Sequence, residues 1–131
     1  YGLPEGLKRQ YVELQKIVSK LKETNPGGRI VFVATISPNS KIFAQTSVEL
    51  SQDKRNEWVK ERVAYIKNHI AFSQAYNIPL INIFDKSLLE NGDGDPDLIS
   101  TNDYIHPSPT GTIFISREIA DFIYNNYIFP H

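Results

Sequence analysis

Asp103 and His106 are the pair in this sequence best suited to chemistry, set three positions apart in Asp103-Tyr-Ile-His-Pro-Ser-Pro-Thr-Gly111. A carboxylate on one ring nitrogen of a histidine fixes its tautomer and stabilises the imidazolium, which frees the other nitrogen to take a proton from a nucleophile. One short loop could carry both groups. Pro107 and Pro109 restrict the backbone around them, and Ser108 followed by Pro109 reads as an N-cap and a first helical position. The spacing alone says little, since a chain with this many Asp and His holds about 0.16 chance matches to Asp-x-x-His. Its setting says more. The loop follows an apolar strand and precedes a patterned helix, where open α/β folds build their sites.

The elements that would position this pair follow from apolar periodicity. Leu7, Tyr11, Leu14, Ile17, Val18 and Leu21 recur at spacings of three and four, which predicts an amphipathic helix over about Pro4 to Thr24, ended by Asn25-Pro-Gly-Gly28. Arg29 to Ile36 is a nearly continuous β-branched run and predicts a strand buried on both faces, as in a parallel sheet. A second helix is expected over Asp53 to Tyr76, with Trp58, Val59, Val63, Ile66 and Ile70 as its apolar stripe and His69 at the surface or boundary. Leu80 to Phe84 predicts a second strand, and Ser87 to Glu90 one helical turn. The last helix, about Pro109 to Tyr127, turns Ile115, Ile119, Phe122 and Ile123 inward. His131, at the chain end, is expected to be disordered. Helix, strand, helix, strand, helix is the order of an α/β sheet with crossover connections.

Two long connections remain. Ser37 to Gln52 and Asn91 to Asn102 lack apolar periodicity, and both are expected at the surface on one site edge, more mobile than the helices. Thr35, Ser37 and Asn39, at the strand's carboxyl end, fit either a substrate wall or simple turn chemistry. Asn91-Gly-Asp-Gly-Asp-Pro-Asp97 alternates carboxylates in a way that invites calcium. Counted from Asp93, however, the places that the EF-hand template reserves for Gly and Glu hold Leu98 and Tyr104. A solvated acidic turn is the better reading, with an irregular cation site at Asp93 to Asp97 as the lesser one.

Composition narrows the function classes. The 131 residues suit one domain, and a formal charge of −1 with no cationic run longer than the two residues of Lys8-Arg9 argues against a nucleic-acid partner. No stretch approaches the roughly 20 apolar residues of a membrane span. Without cysteine there is no disulfide, thiolate metal site or cysteine nucleophile, and the redox compartment stays open. Methionine is also absent, even at position 1, so Tyr1 is expected not to be a natural translation start.

Asp103, His106, Pro107 and the helix from Pro109 resemble the final block of the SGNH, or GDSL-type, hydrolases, Asp-x-x-His with Pro and a closing helix. The upstream elements fall in the order expected before that block. The resemblance covers nearly all of this chain but only the C-terminal part of the family's domain, so residues 1–131 are expected to be the C-terminal portion of one such domain with a flavodoxin-like parallel sheet. It implies a serine esterase or lipase that works through an acyl-enzyme. Asp103 would orient His106, which would act as general base and then as general acid, with no metal or organic cofactor. Acetylated carbohydrates, short-chain esters, thioesters and lipids are the implied substrates. The family's Gly-Asp-Ser and Gly-x-Asn-Asp blocks do not occur here. An N-terminal segment of the same domain is therefore expected to bring the serine, the oxyanion donors and further strands, because a two-stranded sheet is marginal by itself.

Two other readings compete. One is a catalytically silent homologue whose scaffold serves as a binding or interaction module; the other is an unrelated flavodoxin-like half domain, in which Asp103 and His106 would lie too far apart to bond.

Overall fold

The computed structural model describes residues 2–128, so His131 lies outside the described residues. Helix α1 spans Leu3–Thr24, starts with Pro4 in its first turn and stops where Asn25-Pro-Gly-Gly removes helical continuity. Helix α2 spans Gln52–Ala75, and the Ser51 hydroxyl caps it by accepting the Lys54 amide. Strands β1 (Phe32–Ala34) and β2 (Leu80–Asn82) pair in parallel, with Phe32 opposite Leu80 and Ala34 opposite Asn82. A short helix, α3 (Ile83–Lys86), follows β2 directly. A single 3-10 turn at Pro96–Leu98 precedes the closing helix α4, Pro109–Asn125.

This is an α/β fold with a small parallel sheet and flanking helices. On one face, Phe32 packs with Val18 of α1 and Phe72 of α2, and Ala34 packs with Ile66 of α2. On the other, Ile81 and Ile83 meet Ile115, Ile119 and Phe122 of α4. The connection between two consecutive parallel strands must cross over one face of the sheet, here through α2, and α4 covers the other face. Burial of Phe72 and Ile83 is complete.

Several sequence expectations need correction. Ladder pairing is confined to three residues in each strand, shorter than the runs Arg29 to Ile36 and Leu80 to Phe84. Asn82 ends β2, because its side chain accepts the Asp85 amide and starts α3 at Ile83; the helical turn expected at Ser87 to Glu90 therefore comes earlier, and Leu88 instead bridges Gly94. Nor is β1 buried on both faces. Its partner residue Ile81 is covered by α4, while Val33 remains 37% exposed and Thr35 is exposed. Trp58 leaves the predicted stripe and stands partly in solvent, as do Ile17 and Leu21 of α1. His69 is a boundary residue that turns inward. Its ring packs edge-on against Phe32 at 4.6 Å, its Nε2 is sealed from solvent with no hydrogen-bond partner among the described residues, and burial lowers its pKa.

The 37–52 connection is not a surface segment throughout. Ser37, Asn39, Phe43 and Ala44 are buried. Phe43 and Ala44 join Val59 of α2 in a small core that also takes in Ile105, and the buried Arg55 side chain reaches the Phe43 carbonyl. In the 91–102 connection, Leu98 and Ile99 are buried. Apolar residues without periodicity can still find a core when side-chain hydrogen bonds fix the loop, and here they do.

Candidate active site

Loop 98–108 is a tight excursion closed at its base. Ile99 bridges Pro107, the Ser108 amide donates to the Leu98 carbonyl at 2.9 Å, and the Ser100 amide donates to the His106 carbonyl at 2.8 Å. Ser108 then launches α4, its hydroxyl accepting the Gly111 amide and donating to the Asp97 carbonyl. Gly111 is required there. A Cβ on it would sit 2.1 Å from the Leu98 carbonyl oxygen, a backbone atom that cannot swing aside.

Within this loop the Asp103 carboxylate is used completely. One oxygen accepts the amides of Ile105 (2.9 Å) and His106 (3.0 Å), and the other meets His106 Nδ1 at 2.5 Å. The two amide bonds anchor one carboxylate oxygen apart from the ring contact made by the other. Hydrogen bonds from the His106 amide and ring, then from the Ile105 amide, pull the Asp103 pKa from its ordinary 3.8 down to about 2. With Nδ1 engaged, Nε2 is the free nitrogen, and it has no hydrogen-bond partner among the described residues. The His106 side chain is 75% exposed, against 28% for Asp103. An oriented base with an open nitrogen can accept a proton from a nucleophile brought to it.

The 37–52 connection braces this loop. The Ala44 amide donates to the Tyr104 carbonyl (3.2 Å), the Thr46 hydroxyl to the Asn102 carbonyl (2.8 Å) and the Ser47 hydroxyl to the Asp103 carbonyl (3.3 Å). Ala44 and Tyr104, the residues joined by the first of these, both have φ of 56°. Left-handed backbone at non-glycine residues is uncommon and collects where a loop has a task. Nothing in the spacing of Thr46 and Ser47 announces this role; the length of the connection was its one signal.

Ser37 and Asn39 are both tied into the fold by hydrogen bonds, and Ser37 also borders the cavity described below. The Ser37 amide donates to the Ser87 hydroxyl at 2.8 Å, while the Asn39 side chain donates to the Gly94 carbonyl and accepts the Lys41 amide. The acidic turn is likewise used internally. Asp93 accepts the Ser40 amide and hydroxyl, and Asp95 accepts the Asp97 amide. Among the described residues no group of three or more His, Asp or Glu could hold a metal ion. A cavity of about 530 Å³ opens between the two connections and α2, lined by Ser40, Lys41, Lys67 and Asp93 among others, and neither Asp103 nor His106 borders it. The pair faces solvent instead.

No family model matches the sequence, and no curated protein matches it. Among solved structures, the fold matches a chain provisionally described as a platelet activating factor from Streptococcus pneumonia, with a TM-score of 0.60 and 18% identity. The likeness is one of fold. It covers 97% of this chain and 52% of the other, so the present chain spans about half the length of the structure it matches. No helix among the described residues is long and apolar enough to cross a membrane.

The depressed acid leads to a measurable expectation. A carboxylate whose folded pKa lies below its unfolded value stabilises the fold above the unfolded value and loses that effect as pH falls through the folded one. For Asp103 the window runs from 3.8 down to about 2. Carboxyl carbon NMR shifts of Asp103 should titrate near the lower figure, and the Ile105 amide should keep its exchange protection at pH 4 and lose it across that window. An Asp103 midpoint at 3.8 or above would contradict the hydrogen bonding described.

Proposed function

We propose that this chain supplies the acid and base half of an SGNH-type serine ester hydrolase. The observation that carries the reading is the contact of the Asp103 carboxylate with His106 Nδ1, which leaves Nε2 open. Fold likeness to a chain about twice as long adds support, since it leaves room for a segment of the same domain that carries the nucleophile. In this reading a serine Oγ from that segment attacks the ester carbonyl carbon as its proton passes to His106 Nε2. The imidazolium, steadied by Asp103, returns the proton to the departing alcohol, leaving an acyl-serine. Water then repeats the sequence, giving its proton to Nε2 and releasing the acid. Oxyanion donors would come from the same segment. The ester could belong to an acetylated carbohydrate or to a lipid.

The second reading is a non-catalytic binding module, in which no serine would be brought to His106. A serine-directed fluorophosphonate separates the two. The intact protein should be labelled at a single serine outside residues 1–131, and His106→Ala should lose the label. Absence of labelling in the intact protein would favour the binding module.

A further inference from the structure

On the outer face of α2, one helical turn apart, Trp58, Glu61, Arg62 and Tyr65 combine with Phe43 of the preceding connection to form a concave surface of about 390 Å³. None of its residues belongs to the Asp103 loop. We propose that this cup binds a neutral polyhydroxylated ring, the sugar unit of a glycan.

On the two long helices some charged side chains pair at helical spacing, Arg9 with Glu5, Lys16 with Glu13 and Lys54 with Glu57, while others such as Lys8, Lys60 and Lys67 point to solvent without an ion pair among the described residues. Glu61 and Arg62 are adjacent in sequence, so they cannot face one another across a helical turn. Neither forms an ion pair or a side-chain hydrogen bond among the described residues, and Arg62 instead lies with its guanidinium carbon 5.8 Å from the centre of the Phe43 ring. Burial there lowers the Arg62 pKa below its ordinary value, the mark of a cation partly stripped of water. The Tyr65 hydroxyl and the Trp58 indole N–H are also unused among the described residues.

A ligand for this surface must therefore accept from Arg62 and Trp58 and donate to Glu61, while lying against aromatic faces. An anion would meet the Glu61 carboxylate, and a cation would meet Arg62. Hydroxyl groups donate and accept at once, and the C–H face of a sugar ring gives an apolar surface for Trp58 and Tyr65. The volume lies within the roughly 300–1,000 Å³ typical of small-ligand sites. Trp58 is 38% exposed, available to such a ring.

The test is calorimetric titration of the intact protein with cellohexaose, xylohexaose and chitohexaose, and with a heparin hexasaccharide as polyanion. At least one neutral hexasaccharide is expected to bind with a dissociation constant of about 1 mM or tighter. Glu61→Gln and Arg62→Gln should each weaken it at least about tenfold, equivalent to roughly 1.4 kcal/mol. Binding should also change the fluorescence that is lost in Trp58→Phe. Glu61→Gln alters an exposed helix position and should unfold at the same temperature as the parent, so its effect reads binding and not folding. Binding of heparin alone, neutral binding indifferent to both substitutions, or no saturable heat would each overturn the proposal. His106→Ala should leave glycan binding unchanged, so this inference and the hydrolase reading fail independently.

Discussion

Replacing His106 with alanine in the intact protein should lower kcat/KM for a short activated ester by about 10⁴- to 10⁶-fold, the range seen when the base of a serine–histidine site is removed. Asp103→Asn should cost less, about 10³- to 10⁴-fold, because the ring survives but its tautomer is no longer fixed. The asparagine oxygen can still accept the Ile105 and His106 amides, which now bind one Asp103 oxygen, so the turn should persist. Its effect would then reflect the ring and not the backbone. Steady-state kinetics with both variants decide the matter. Ester turnover by His106→Ala within tenfold of the parent would remove His106 from the mechanism.

Stability offers the second large effect. Gly111→Ala would place a methyl group 2.1 Å from the Leu98 carbonyl oxygen, well inside van der Waals contact. Neither partner is a flexible side chain, so α4 must shift off the Pro96–Leu98 turn and pull on the bond from Ser108 to Leu98 that closes the loop. Overpacking of this kind costs about 1–3 kcal/mol, and Gly111→Val should exceed that of alanine. Gly27 is the control. Nothing lies within 4 Å of a Cβ built there, and Gly27→Ala should change stability by no more than about 0.5 kcal/mol. Denaturant unfolding of the intact protein measures both. Equal midpoints for the two variants would mean that α4 does not approach Leu98 as described.

Element type was legible where burial follows one simple period. The Leu7 to Val18 and Ile115 to Phe122 stripes predicted helices that do bury those faces, and the apolar runs at 29–36 and 80–84 predicted parallel strands. Strand length was not legible. Asn82 ends β2 by a side-chain cap that hydropathy does not register, and the exposure of Val33 depends on what lies beside β1, which no local pattern encodes. The contact between Asp103 and His106 was legible because it closes within four residues. Thr46 and Ser47, which brace that contact, sit 56 residues away from their acceptors and carry no motif. Phe43 and Ala44 were concealed for a related reason: two apolar residues in a polar stretch have no period to reveal them.

The closure of the Asp103 turn on itself separates two kinds of damage. All the bonds of the Asp103 carboxylate lie between residues 103 and 106, so distortion elsewhere, including loss of the bracing bonds from Thr46 and Ser47, displaces the pair more than it changes the contact within it. A lesion in the scaffold would then alter how far the imidazole stands from its reaction partner, and a misplacement of about 1 Å can cost a hundredfold in rate. Such variants should lose turnover number while the acid and alkaline limbs of the rate profile keep their midpoints. Variants at Asp103 should move the midpoints themselves. The shape of the profile, more than its height, would thus tell a displaced base from a misassembled one.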